Sequence, residues 1–157
     1  MTSIPMTADG YNRMQEELKQ LKSVERPAVI KALAEAREHG DLAENAEYQA
    51  ARERQSFIEG RIADLEDTLT RVEVIDVDKL KGKQVKFGAT VTLADGDTDA
   101  EVTYQLVGEY EADISAGRLA ITSPLARALI GKSVGDNAEV TTPNGHKDYE
   151  VVKVRFK

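Results

Sequence analysis

Two narrow apolar stripes that mirror each other constrain this chain more than any other feature. Tyr11, Met14, Leu18 and Leu21 step by three, four and three, which marks one face of a helix. Ile58, Ile62, Leu65, Leu69 and Val72 repeat that step. Both stripes are as narrow as a coiled-coil seam, so each needs a partner helix to cover it. Two antiparallel helices bring together residues whose numbers add to a constant. Tyr11 with Val72, Met14 with Leu69, Leu18 with Leu65 and Leu21 with Ile62 all give 83. The fold-back point is then between Asp41 and Leu42, and Gly40 beside it adopts positive φ at little cost. Each arm of roughly 30 residues would be about 45 Å long at ~1.5 Å per residue. Thr7 is placed to cap the first arm. Pro27 should kink or restart it, because proline lacks one backbone donor. Toward the fold-back point the seam is expected to thin to Leu33, Ala34, Ala46 and Ala50.

The period changes near residue 75. "VEVIDVDKLKGKQ" (72–84) reads as a connector. Beyond it "KQVKFGATVTL", "EVTYQLVG", "GRLAITS", "NAEVTT" and "KDYEVVKVRF" are short strand-like runs. The last two flank "PNGH", where Asn-Gly signals a hairpin. "SPLARALIGK" reads as a short helix with Ser123 as N-cap, Pro124 at its first position and Gly131 closing it. The expected fold class is α+β. An N-terminal antiparallel coiled-coil hairpin (1–75), with an acidic tip near 38–47, precedes a C-terminal domain (76–157) in which a short helix covers a twisted antiparallel sheet.

Composition narrows the function. A net charge of -7 argues against attraction of the whole molecule to nucleic acid. Cysteine is absent, which excludes disulfides, zinc-thiolate sites and thiol nucleophiles. No apolar run approaches the ~20 residues that span a bilayer, and "MTSIPMTADG" has no signal-peptide core, so no membrane partner and a cytoplasmic location are expected. No Gly-rich phosphate loop or Ser-His-carboxylate pattern is present.

The stretch "EHGDLAENAEY" carries Glu38, Asp41, Glu44 and Glu47 around the fold-back glycine. One reading of Asp41 and Glu44 is a capping box at the start of the second arm, which the helix dipole also favours. The other is a pair of exposed carboxylates for a hard cation such as Mg²⁺, which takes one or two carboxylates and leaves its other positions to water or phosphate. Two ligands are too few for a tight site, so such a tip works best by completing a site held elsewhere. His39 reads as a polar surface residue and His146 as part of a loop. Arg37, Arg52 and Arg54 flank the tip, and either pair with nearby glutamates or meet a phosphate backbone.

"AEAREHGDLAENAEYQAARERQ", with "IPMT", "VIDV" and "SPLARALIGK", resembles the bacterial Gre transcript-cleavage factors of the GreA type over essentially the whole chain. The resemblance implies a C-terminal domain similar to FK506-binding proteins that docks on RNA polymerase, with Ser123 and Pro124 in the docking segment. It implies a coiled coil that enters the polymerase's secondary channel. Asp41 and Glu44 would help hold a Mg²⁺ shared with the polymerase active site, and none would be bound tightly by the free protein. Arg37 and Arg52 would contact the 3′ end of the nascent RNA. On that view the chain is a monomer when free and no enzyme itself; it activates the polymerase's own cleavage of backtracked RNA. Rival readings are a secondary-channel inhibitor, a coiled-coil adaptor without chemistry, or a peptidyl-prolyl isomerase. The Asp-Leu-Ala-Glu tip favours cleavage over inhibition.

Overall fold

The computed structural model describes residues 3–40 and 45–156. One compact unit is built on Tyr11–Val72, the other on Ser3–Gly10 together with Glu73–Lys157.

In the first unit the two stripes meet as an antiparallel helical pair. The first arm runs through α1 (Ala8–Gln20), a π-helical stretch Leu21–Glu25 and α2 (Arg26–Arg37); the second is α3 (Ala46–Leu69). Met14, Leu21, Val29, Leu33 and Ala36 are buried on one arm, and Tyr48, Ala51, Ile58, Ile62 and Leu65 on the other. The ion pairs Lys22–Glu66 (3.0 Å), Arg26–Glu59 (2.8 Å), Glu25–Arg54 (3.2 Å) and Glu17–Arg61 (2.7 Å) bridge the arms. Their numbers fall on either side of the expected 83, as long side chains reaching up or down one turn would give. Such exposed pairs add little stability but fix the register. Near the turn the seam differs from expectation. Leu33 is buried as expected, but Ala34, Ala46 and Ala50 are exposed, and Val29, Ala36, Tyr48 and Ala51 are buried instead.

The π stretch accounts for part of that difference. Leu21 and Val29 are eight residues apart, and at ~100° per residue an unbroken α-helix would carry Val29 roughly 80° off the stripe. The wider π turn takes up the surplus residue and returns Val29 to the seam. Pro27 follows directly in the first turn of α2, where a missing N–H costs least. The restart expected at Pro27 is therefore a π-to-α change within a continuous helical arm.

The second unit holds two sheets. β1 (Ile4–Thr7) pairs with β2 (Val72–Ile75), two strands that the sequence reading assigned to a helix lead-in and a connector, so Val72, expected opposite Tyr11 on the helical seam, lies in a strand instead. The larger sheet has the order β5 (Arg118–Ala120), β4 (Glu101–Val107), β3 (Ala89–Asp95), β7 (Gly145–Phe156), β6 (Asn137–Thr142). It is mixed rather than purely antiparallel, because β4 and β5 run parallel. Two 3₁₀ turns, Glu109–Glu111 and Ile114–Ala116, carry the chain back along the sheet so that β5 enters in the same direction. Helix α4 (Pro124–Leu129) puts Ala126 and Leu129 into the core with Val91, Leu93, Leu106 and Val151. Ser123 caps it, its Oγ accepting from the Ala126 N–H at 3.2 Å, as its sequence position predicts. The β6–β7 turn centres on Pro143–Asn144, since Thr142 pairs with Gly145. Asn-Gly is thus one place off the expected centre, and Gly145 takes φ 122° at the turn's exit.

Ser3–Gly10 belongs to this unit for a polar reason. Glu111 is buried and its carboxylate accepts from the Thr7 N–H (2.8 Å), the Thr7 hydroxyl and the Gly108 N–H (2.9 Å). Thr7 in turn caps α1, accepting from the Gly10 N–H at 3.1 Å. A side chain on Gly10 would overlap this carboxylate, with a Cβ only 2.0 Å from Glu111 Oε1.

Candidate functional site

The turn of the helical hairpin is built from both of its ends. α2 closes with the His39 N–H donating to the Ala36 carbonyl at 3.1 Å, and Gly40 then takes φ 114°. α3 opens at Ala46 with Asn45 as its N-cap, the side-chain oxygen accepting from the Tyr48 N–H at 3.0 Å. The other end of the same amide donates to the Ala36 carbonyl at 2.7 Å. One side chain thus satisfies an orphan donor of α3 and an end carbonyl of α2, and ties the two arms together across the turn.

Asp41 and Glu44 lie outside the described residues. The cap of α3 nevertheless bears on them, because Asn45 fills the place that the capping-box reading gave to Asp41. Glu44 precedes that cap in the chain, so the third helical position belongs to Tyr48.

Tyr48 organises the flank. It is buried, with the guanidinium groups of Arg37 and Arg52 over its ring at 5.8 and 6.0 Å from the centroid. The structure therefore brings together the two arginines that the sequence singled out, one from each arm, and leaves both exposed. Arg54 differs: it pairs with Glu25. His39 Nε2 lies 4.0 Å from Glu47, an exposed contact between the ends of the two arms. Further along the arms, hydrogen bonds from Arg61 hold the Glu17 carboxyl below the usual carboxylate range.

Ser123 and Pro124 stand in the second unit at the start of α4, with Ile130 and Val134 exposed just beyond it. His146 is not in a loop; it lies on β7. Sequence reasoning missed Asn45 and Tyr48. Asn45 was legible in principle, since asparagine is among the strongest N-caps and stands immediately before the helix.

Residues 4–74 match the family model described as transcription elongation factor, N-terminal (GreA and GreB), and residues 80–156 match its GreA/GreB C-terminal counterpart. The chain belongs to the GreA/GreB family of transcription elongation factors. A relative named transcription elongation factor GreA from Phenylobacterium zucineum is 64% identical over 99% of both chains. Another of that name, from Hyphomonas neptunium, is 62% identical over the full length of both. Among solved structures, GreA factor homolog 1 of Thermus thermophilus is 28% identical, covers 98% of this chain and 99% of that one, and has a TM-score of 0.44.

Proposed function

We propose that this elongation factor binds RNA polymerase and stimulates the polymerase's own cleavage of backtracked RNA, with Asp41 and Glu44 as the residues that bring the chemistry. The observation that carries this reading is that Asn45 supplies the cap of α3. With the N-cap of α3 on Asn45, the capping-box reading no longer accounts for Asp41 and Glu44.

The donor set fits Mg²⁺, which prefers carboxylate oxygen and keeps water or phosphate in its remaining positions. Asp41 and Glu44 would hold it jointly with ligands of the polymerase; two carboxylates make no tight site on the free chain. Once bound, the ion supplies Lewis-acid stabilisation of the phosphate that is cut. The chain's own residues do the rest. The Asn45 amide fixes the spacing of the two arms at the turn. Arg37 and Arg52, steadied by Tyr48, present two cations to the RNA phosphates near the cleavage point. A narrow two-helix arm suits entry into a channel, and the segment at Ser123 and Pro124 is assigned to docking. The protein is not itself a nuclease on this reading and needs no partner copy.

The test is cleavage of RNA in stalled, backtracked polymerase complexes with Mg²⁺. The wild-type chain releases short 3′ fragments. Asp41→Asn and Glu44→Gln each lose release while keeping polymerase binding and helical content. Normal cleavage by both variants would refute the assignment, and retained binding without wild-type cleavage would favour the inhibitor or adaptor reading.

A further inference from the structure

The hairpin of β6 and β7 carries a second group of ligating side chains. Its register sets Glu139 opposite Asp148 and Thr141 opposite His146. Strand alternation puts these four on one face, while Ala138 and Val140 turn to the other and are buried. His146 Nε2 contacts Glu139 Oε1, and His146 Nδ1 lies 3.2 Å from the Thr141 hydroxyl oxygen. One ligand atom each from Glu139, His146 and Asp148 falls within 4.8 Å of the others.

We propose that Glu139, His146 and Asp148 form a binding site for a divalent transition-metal ion of the zinc type. Three arguments support it. First, Glu139 and Asp148 are directly opposed like charges, an arrangement that destabilises a strand pair unless a cation relieves it. Lys147, the nearest lysine in the chain, alternates to the opposite face and pairs with Asp95 at 3.0 Å. Second, His146 Nε2 faces the Glu139 carboxylate and Thr141 stands at Nδ1, so an ion that takes the place of the Nε2 proton finds Thr141 positioned to accept from Nδ1–H, as neighbours of metal-bound histidines do. Third, the spacing is close. Ligands at ~2.0–2.2 Å from one ion lie at most about 4.4 Å apart, so side-chain rotation alone closes the set. All three ligands sit on paired strands, which hold their backbones in place.

One imidazole with two carboxylates selects zinc, nickel or copper over Mg²⁺, and three protein ligands leave a position open to water or a further group. The site is thus chemically distinct from the oxygen-only pair at the hairpin turn.

The experiment titrates the full chain with Zn²⁺ by calorimetry and follows the His146 ring signals by NMR. One ion per chain is expected, with the His146 signals shifting as it binds. His146→Gln should weaken binding by at least about tenfold, and Thr141→Val, which keeps every ligand, by about tenfold. The triple variant His39→Gln, Asp41→Asn, Glu44→Gln should bind as the wild type does. Zinc should also raise the melting temperature of the wild type and not that of His146→Gln. The proposal is overturned if the wild type shows no saturable binding, if His146→Gln binds equally well, or if the His146 ring responds to pH but not to Zn²⁺. The last result would mark a protonated histidine paired with two acids.

Discussion

Replacing Asn45 by alanine removes two hydrogen bonds that tie the ends of the arms together at the turn. The first is the N-cap to the Tyr48 N–H at 3.0 Å, a contact typically worth ~1 kcal/mol. The second is the 2.7 Å bond to the Ala36 carbonyl, worth roughly 1 kcal/mol between partly buried groups. The two act on the same turn, so their loss should lower the free energy of opening there by about 2 kcal/mol, or roughly thirtyfold in the opening equilibrium. The effect should be local, because Ile58, Ile62 and Leu65 still close the seam further along. Amide hydrogen exchange resolves this. Tyr48 and Gln49, whose N–H groups donate to the side-chain oxygen and the carbonyl of Asn45, should exchange roughly thirtyfold faster. Amides of Ile62 and Leu65 should stay within about twofold. Asn45→Asp separates the two terms: it keeps the cap and loses only the donor to Ala36, so its effect should be about half in free energy. The reasoning is wrong if Asn45→Ala leaves Tyr48 exchange unchanged, or if exchange rises equally along the whole of α3.

The Glu111 latch gives a second prediction. Gly10→Ala gains helix propensity of ~1 kcal/mol but drives a Cβ into the buried carboxylate, so the net change should be destabilising by about 1–3 kcal/mol in thermal or urea unfolding. In the background of Glu111→Ala the same change should become neutral or stabilising, a reversal that only direct contact explains. A third concerns the seam: Leu65→Ala, at 1% exposure, should cost about 2–5 kcal/mol and lower the midpoint of the helical signal. A fourth concerns acid. Hydrogen bonds from the Asp97 N–H and from Lys147 hold the Asp95 carboxyl below its usual range. A depressed carboxyl contributes stability above its unfolded value near pH 4 and loses it as pH falls through the folded value. Unfolding midpoints of the wild type should therefore fall below about pH 4 more steeply than those of Asp95→Asn.

The coiled-coil half was legible because its signal is periodic and redundant. Met14, Leu21, Ile58, Ile62 and Leu65 report one register several times over, and burial follows them. The reading failed where one residue breaks the period. A π stretch at Leu21–Glu25 shifts the seam beyond it by one position, so Val29, Leu33 and Ala36 are buried where an unbroken helix would bury their predecessors. In the other half the strand runs were visible, but the parallel entry of β5 depends on two short turns whose direction no local pattern encodes. β1 and β2 were missed because four residues carry too little alternation to stand out.

The acidic turn shows how a correct motif can be attached to the wrong residue. Asp41-x-x-Glu44 and Asn45 compete for the same task, and sequence offers both as starts of α3. A helix has a single N-cap, and the cap with its bond to the Tyr48 N–H belongs to Asn45. Had Glu44 been needed to fold back on a backbone N–H, its carboxylate could not also have met a cation. With the cap supplied three residues before Tyr48, the same asparagine that starts α3 also grips the end of α2. On the proposed function, folding and chemistry at this turn fall on different residues: Asn45 and Tyr48 hold the arms and steady the arginines, and Asp41 and Glu44 would hold the metal. That division predicts a distinction in the cleavage assay. Asn45→Ala should raise the Mg²⁺ concentration needed for half-maximal cleavage and recover at high Mg²⁺, because it loosens the turn but removes no ligand. Asp41→Asn and Glu44→Gln should not recover at any Mg²⁺ concentration. If Asn45→Ala behaves as they do, positioning and ligation are not separate here.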